Sequence, residues 1–115
     1  MQYLTGRILN NRYQVKKLIG RGGMSTVYQA IDLIRSVDCA IKVLNEELAI
    51  DQVFIRRFTR EAQALARLQH PNIVRFYNLE REGHIVYMVL DYIDGKSLKK
   101  IIYESPTPLT QVRIF

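Results

Sequence analysis

The chain has 115 residues, of which 48% are hydrophobic and 24% are charged, and its net charge is +6 at pH 7. Such a composition indicates a folded domain with one modest core and excludes a disordered or fibrous protein. The N-terminus lacks the apolar stretch of a signal peptide, and no run of about 18 apolar residues could span a membrane. The single cysteine, Cys39, cannot form an internal disulfide. We therefore expect a cytoplasmic location, which leaves open a membrane anchor in a downstream segment.

The positive charge leaves a basic RNA-binding domain as one alternative, because basic surface attracts phosphate. Four of the arginines, however, are spread along one predicted helix: Arg56, Arg57, Arg60 and Arg67. They are offset by acidic residues elsewhere, and no motif for RNA or DNA binding accompanies them. We predict a solvated helix face and no nucleic-acid partner.

Hydrophobic periodicity predicts one helix and five strands. The strand segments cover residues 12–20, 25–32, 38–44, 73–80 and 84–93. The first three are joined by short connections, which implies an antiparallel sheet. The helix is predicted from Asp51, a candidate N-cap, to Gln69, and residues 70–72 end it. A turn is predicted at residues 81–83. The expected fold is therefore α+β, with a five-stranded antiparallel sheet and one major helix.

The end of the chain is unusually apolar for a domain boundary. Val112, Ile114 and Phe115 have no later element to cover them, whereas domains usually end on exposed polar residues. We therefore expect this sequence to be a fragment of a longer protein.

The segment IGRGGMSTV contains three glycines within four positions, Gly20, Gly22 and Gly23. Each costs about 0.5–1 kcal/mol in a strand-like region, so the group needs a reason beyond closing a hairpin. Close approach of backbone N–H groups to phosphate is one reason, and a flexible hairpin without a ligand stays open as the other. A dinucleotide-binding motif is excluded because Val27 continues as strand, and a Walker loop because Leu90 stands where its first glycine belongs.

Two charged residues interrupt apolar patterns. Lys42 lies inside the strand segment CAIKVL, where a solvated or edge position is the ordinary interpretation. Glu61 occupies the gap in a helical stripe formed by Phe54, Phe58, Leu65 and Leu68. A carboxylate there is unfavourable by several kcal/mol unless a cation meets it. We expect Lys42 to be that cation, and a purely structural ion pair stays open as the alternative.

A glycine flap, a strand lysine and a helical glutamate, in this order, are typical of a site that holds a triphosphate. At these residues the chain resembles the protein kinase family, in the glycine-rich loop IGRGGMSTV, the strand AIKVL, the helix RRFTREAQALARLQHPNIV and the hinge YMVLDYIDGKSL. The residues of these motifs are most similar to those of bacterial, eukaryotic-like serine/threonine kinases, and the resemblance covers nearly all of residues 10–115. The resemblance implies a kinase N-lobe with hinge at 13–93, an N-terminal extension at 1–12 and a truncated start of the C-lobe at 94–115.

The resemblance also implies a nucleotide site. Its loop residues would cover the phosphates: Ile19, Gly20, Arg21, Gly22, Gly23, Met24, Ser25, Thr26 and Val27. Lys42 would bind the α- and β-phosphates while paired with Glu61. Ser25 stands where the family has its third glycine. This departure restricts the backbone conformations that the turn can adopt.

The base and sugar of the nucleotide would lie nearer the hinge. The adenine slot would be lined by Ile19, Val27, Ala40 and Val74, with Leu90 as gatekeeper at its back. Backbone groups of Asp91 and Ile93 would bond the adenine edge. Ser97 lies where the family contacts ribose, and a helix cap is an equal alternative for it.

The implied activity is transfer of the γ-phosphoryl group of ATP, with Mg²⁺, to serine or threonine hydroxyls of a protein substrate. The H-R-D catalytic loop and the D-F-G motif do not occur in these residues, so we expect the chain alone to be inactive and the metal ligands to lie in the missing C-lobe. The alternative is a non-catalytic, kinase-like nucleotide-sensing or interaction module, against which Lys42 and Glu61 speak. The resemblance further suggests that two such lobes can pair through their backs.

Overall fold

The computed structural model describes residues 4–67 and 75–92. The helix, α1, spans Gln52–Arg67. The six strands are β1 at Ile8–Leu9, β2 at Tyr13–Arg21, β3 at Ser25–Asp32, β4 at Val37–Leu44, β5 at Phe76–Glu82 and β6 at Ile85–Asp91. No helix in these two described ranges is long and apolar enough to cross a membrane.

All six strands form one antiparallel sheet in the order β1-β2-β3-β4-β6-β5. The predicted α+β fold, an antiparallel sheet with one long helix, is confirmed. The sixth strand, β1, is additional to the five predicted, because its two residues are too few to show alternation. It reaches β2 through Asn10 and Asn11, which both adopt left-handed backbone, with φ of 49° and 57°. Asparagine tolerates this conformation better than most residues, so the pair suits the centre of the turn that the backbone N–H of Arg12 closes by donating to the Leu9 carbonyl at 2.9 Å.

The predicted turn at residues 81–83 is wrong by two residues. Arg81 and Glu82 belong to β5, and Glu82 pairs with Ile85 across a turn at Gly83 and His84. Gly83 has a φ of 61°, which glycine adopts without a steric penalty. Charged residues of a half-exposed strand resemble a loop in the sequence, and this explains the error.

Helix α1 begins as its sequence predicts. The Oδ1 atom of Asp51 accepts a hydrogen bond from the backbone N–H of Val53 at 2.9 Å, so Asp51 is an N-cap. The buried face of the helix consists of Phe58, Ala62 and Leu65. Of the predicted stripe, Phe54 is only partly buried, and Leu68 lies outside the described residues.

The sheet is covered by apolar residues on both faces. On the side of α1, which we call the helix face, the core contains Val27, Ala40, Leu44, Ala49, Phe58, Ala62, Leu65, Val86, Met88 and Leu90. The opposite side, the outer face, has its own core of Leu4, Leu9, Tyr13, Val15, Tyr28, Ala30, Cys39, Ile41, Val43, Ile85, Tyr87 and Val89. Burial raises the pKa of the Cys39 thiol to about 12, so this cysteine serves as a small core residue.

Asp32, the last residue of β3, accepts hydrogen bonds from several donors. Its side chain is 1% exposed and accepts hydrogen bonds from Nε and Nη2 of Arg12, both at 2.9 Å. Nε of Arg35 donates at 3.0 Å, and the backbone N–H groups of Ile34 and Arg35 donate at 3.0 and 3.2 Å. The Arg12 guanidinium, with these other donors, holds the pKa of Asp32 well below its ordinary value. The cluster links Arg12, the residue before β2, to the turn between β3 and β4.

We expect Asp32→Asn to lower the free energy of unfolding by about 2 kcal/mol at neutral pH, because the two arginines lose the charge that they face. The loss is not larger because water screens the two partly exposed guanidinium groups. The folded-state pKa of Asp32 is lowered, so its stabilisation is complete above about pH 4, the ordinary aspartate value, and is lost as the pH falls below that. Urea unfolding should therefore show the difference from wild type shrinking between pH 6 and pH 2. Asp38→Asn, at an exposed position of β4, is the matched control and should change little. An equal difference at both pH values would contradict this assignment.

Candidate functional site

Lys42 lies in the middle of the sheet. Strand β4 is flanked by β3 and β6, where Lys42 pairs with Val27 and Met88. Alternation along β4 directs Ala40, Lys42 and Leu44 to the helix face. The Lys42 side chain is only 1% exposed, so the ordinary solvated position of a strand lysine does not apply here.

Glu61 meets Lys42 from the helix. Nζ of Lys42 donates a hydrogen bond to Oε1 of Glu61 at 2.6 Å, a short distance typical of charge-assisted bonds. Glu61 lies three residues after Phe58 on the inward side of α1, and its side chain is 15% exposed. The same Nζ is 6.0 Å from the centroid of the Phe58 ring. The gap in the apolar stripe is thus filled by an ion pair between helix and sheet.

Burial and attraction act on this pair in opposite directions. Burial lowers the pKa of Lys42, and the attraction and the hydrogen bond of Glu61 raise it, but burial is the larger effect and the resulting pKa is about 8. Burial likewise raises the pKa of Glu61, and Lys42 opposes that rise. A cation held in such low-dielectric surroundings attracts an incoming anion more strongly than one in water does.

Residues 22–24 connect β2 to β3 and form the tip of the glycine-rich loop. The backbone N–H of Gly22 donates to the carbonyl of Ser25 at 2.8 Å. Gly23 does not have a positive φ, and a Cβ atom built on it would contact nothing within 4 Å. The described fold itself therefore does not require a glycine at position 23.

Ser25 lies on the same sheet face as Lys42. It pairs with Leu44, and the neighbouring pair is Val27 with Lys42, so Ser25 and Lys42 are diagonal neighbours. The Ser25 hydroxyl is buried, and it makes no hydrogen bond to any of the residues that the structure describes. A buried hydroxyl without a partner is unfavourable by about 1–3 kcal/mol, so this position is suited to a ligand acceptor.

The predicted adenine-slot residues come together on the helix face. Val27, Ala40 and Leu90 are fully buried in one cluster, Ala40 pairs with Leu90, and Ile19 packs against them. Asp91 ends β6, where its Oδ1 accepts a hydrogen bond from the Tyr77 hydroxyl at 2.6 Å. The other residues assigned to the slot, the hinge and the ribose contact lie outside the described residues: Val74, Ile93 and Ser97.

Two residues of the predicted loop set face the other way. Arg21 and Thr26 pair with each other on the outer face, where they line a cavity of about 360 Å³ together with Tyr28, Val43, Asn45, Glu46 and Glu47. This cavity contains neither Lys42 nor Glu61. Arg21 and Thr26 could therefore reach a ligand on the helix face only through their backbone.

Asn45, the residue after β4, was not predicted from the sequence. Its backbone N–H donates to the Met24 carbonyl at 2.9 Å, and its Oδ1 accepts from the Thr26 hydroxyl at 2.7 Å. Its Nδ2 group donates to the carbonyls of Gly22 and Gly23 at 3.3 and 3.2 Å. The available signal was an amide side chain directly after an apolar strand, but nothing in the pattern relates it to a loop about 20 residues earlier.

The donor set around Lys42 suits an anionic ligand. Within residues 4–67 and 75–92, no three His, Cys, Asp or Glu side chains lie together as metal ligands. A buried ammonium, a loop with open space at Gly23 and the adjacent apolar cluster of Val27, Ala40 and Leu90 are groups that a nucleoside triphosphate could use.

Comparison with known proteins agrees with this geometry. The chain is 48% identical over 99 residues to the serine/threonine-protein kinase PrkC of Bacillus subtilis, covering 86% of this chain and 15% of that protein. It is 43% identical over 109 residues to PknB of Mycobacterium tuberculosis, covering 91% of this chain and 17% of that protein. The chain thus spans about a sixth of these curated relatives.

A solved structure shows the same fold. The crystal structure of the Mycobacterium tuberculosis PknI kinase domain superimposes with a TM-score of 0.64 at 31% identity, over 79% of this chain and 37% of that one. The family model for the protein kinase domain matches residues 13–114. The chain is therefore a member of the protein kinase family.

Proposed function

We propose that this chain is the ATP-binding N-terminal lobe of a serine/threonine protein kinase, and that the complete protein transfers the γ-phosphoryl group of ATP to serine or threonine side chains of proteins. The observation that carries the proposal is the buried ion pair of Lys42 with Glu61, joined at 2.6 Å on the face that Ser25 of the glycine-rich loop shares. A purely structural pair would not need a neighbouring loop with open space at Gly23.

Each part of the site has a role toward the nucleotide in this proposal. The Lys42 ammonium neutralises oxygens of the α- and β-phosphates, and Glu61 holds the ammonium in place. Backbone N–H groups of residues 20–25 cover the phosphates, and the Ser25 hydroxyl, which has no partner among the described residues, donates to one of them in this proposal. Val27, Ala40 and Leu90 receive the adenine ring, and the Asp91 carbonyl accepts from its edge.

Magnesium neutralises the phosphates further when it is bound with ATP, and we place its protein ligands outside the described residues. The protein substrate would likewise be recognised elsewhere in the complete protein. A cytoplasmic location for this lobe is also part of the proposal. Pairing of two lobes and the lack of a nucleic-acid partner remain predictions.

Substitution of Lys42 tests the proposal. We expect Lys42→Met to weaken ATP binding by the complete protein at least about tenfold and to leave adenosine binding nearly unchanged, because the phosphates are the part of the nucleotide that the ammonium binds in this proposal. Lys17→Met, at an exposed position of β2, is the control and should bind both ligands as wild type does. Calorimetric titration with each ligand gives the comparison.

Phosphate transfer separates the two functional classes. The complete protein should incorporate γ-phosphate from ATP into serine or threonine of a protein substrate, the Lys42→Met variant should not, and the 115-residue chain alone should be inactive. ATP binding without any transfer by the complete protein would instead favour the non-catalytic nucleotide-sensing module. Equal ATP binding by Lys42→Met and wild type would overturn the assignment of the site.

A further inference from the structure

One residue, Asn45, holds the glycine-rich loop from the outer face through its side chain and its backbone N–H. Of the five residues from Gly22 to Thr26, four bond to Asn45: Gly22, Gly23 and Met24 through their carbonyls and Thr26 through its hydroxyl. The fifth, Ser25, bonds within the loop to the N–H of Gly22. We call this set of contacts to Asn45 the loop clasp.

The clasp begins directly after β4, the strand that carries Lys42. Asn45 follows Lys42 by three positions, which is about 10 Å along an extended chain. Strand β4 lies between β3 and β6 and is buried on both faces, so its end is a rigid attachment point. A loop fastened there keeps a fixed distance from the ammonium. A loop fastened only by its own hairpin would lack this reference.

We propose that Asn45 is a positioning residue, which sets the height of the glycine-rich loop above Lys42 and thereby the affinity for the phosphates of ATP. This inference rests on the proposed nucleotide site. Asn45 lies on the outer face with Thr26 and does not itself reach the nucleotide. Asn45 acts by ordering the loop before the ligand binds. Ligand binding then loses less conformational entropy, because the loop is already partly ordered.

The contacts of Asn45 can be removed in steps. Asn45→Ala removes all three side-chain contacts but keeps the backbone N–H bond to Met24. Asn45→Asp keeps the acceptor for Thr26, and it places an oxygen against the Gly22 and Gly23 carbonyls in place of the donor. Thr26→Val removes only the hydroxyl bond. Asn78→Ala, in β5 at the far edge of the sheet, is the matched control because Asn78 also hydrogen bonds through its side chain.

Binding of ATP and of adenosine to the complete protein tests the role, because adenosine lacks the phosphates that the loop covers. We expect Asn45→Ala and Asn45→Asp to weaken ATP binding about tenfold, Thr26→Val to weaken it about two- to threefold, and adenosine binding to stay within about twofold of wild type. Without any ligand, amide hydrogen exchange at residues 22–25 should be faster in Asn45→Ala than in wild type and Asn78→Ala.

The outcomes are distinct from those of the proposed function. If wild type binds ATP and Lys42→Met does not, but Asn45→Ala binds ATP as wild type does, the positioning role is wrong and the nucleotide site stands. Equal losses for ATP and adenosine, or unchanged exchange in the loop, would also overturn the role, because they indicate general damage or no clasp. If wild type does not bind ATP, the proposed function and this inference both fail.

Discussion

Replacing Glu61 with alanine is expected to lower the free energy of unfolding by about 3 kcal/mol at pH 7. The loss arises because the Lys42 ammonium, at 1% exposure, would keep its burial without the carboxylate 2.6 Å away. Chemical denaturation of the 115-residue chain measures the difference. The companion variant is Lys42→Met with Glu61→Leu, which replaces both charges by apolar groups. It should unfold within about 1 kcal/mol of wild type, because apolar residues can replace a buried pair.

The pH dependence of the Glu61→Ala variant follows from the pKa of Lys42. With Glu61 present, burial lowers the pKa of Lys42 to about 8. Removal of Glu61 takes away the attraction that opposes burial, so the pKa falls further. The folded chain then binds fewer protons than the unfolded chain across the interval up to about pH 10, so stability from this group rises with pH there. The difference between wild type and Glu61→Ala should therefore narrow from pH 7 to pH 9. A double variant as unstable as Glu61→Ala, or a difference that widens with pH, would show that the pair is not what stabilises the junction.

Phe58→Ala is expected to reduce the free energy of unfolding by about 3–4 kcal/mol. Phe58 is fully buried and is the largest apolar side chain that α1 buries against the sheet. Its removal leaves a cavity between helix and β4, next to the Lys42 ammonium. Phe58→Leu keeps most of the volume and should lose only about 1–1.5 kcal/mol.

Urea titration of both Phe58 variants, with Val53→Ala as control, checks this order. Val53 is 46% exposed on the same helix, so its truncation should change stability by no more than about 0.5 kcal/mol. Similar losses for Phe58→Ala and Val53→Ala would mean that α1 is not docked through Phe58. That result would also remove the basis for placing Glu61 next to Lys42.

The sequence located both ends of the ion pair because each broke a strong local pattern. Lys42 interrupted an apolar strand, and Glu61 interrupted an apolar helical stripe, so both anomalies were visible within short windows. Alternation likewise located the strands that carry Val27, Ala40 and Leu90. Their grouping into one site was predicted only from the resemblance to the kinase family, and the antiparallel pairing of the structure places them on one face.

Contacts between distant residues without such an anomaly could not be predicted. Asn45 and the Asp32 cluster consist of polar residues at strand ends and turns, which are polar in most proteins. Which partners they select depends on the register between β2, β3 and β4, and that register includes two irregular steps in β2. The short β1 and the exact turn at Gly83 were missed because two-residue features leave too little periodicity.

The order of the strands along the chain has a consequence for folding. Strands β2, β3 and β4 are neighbours both in sequence and in the sheet, whereas β6 reaches β4 only after α1 and β5 have intervened. Short connections close with less entropy loss than long ones, so we expect this three-stranded meander to assemble first and α1 to dock later. The Lys42 ammonium would then remain hydrated until α1 docks and Glu61 contacts it. Loss of their contact would in that case mainly accelerate unfolding, which stopped-flow kinetics of Glu61→Ala would reveal.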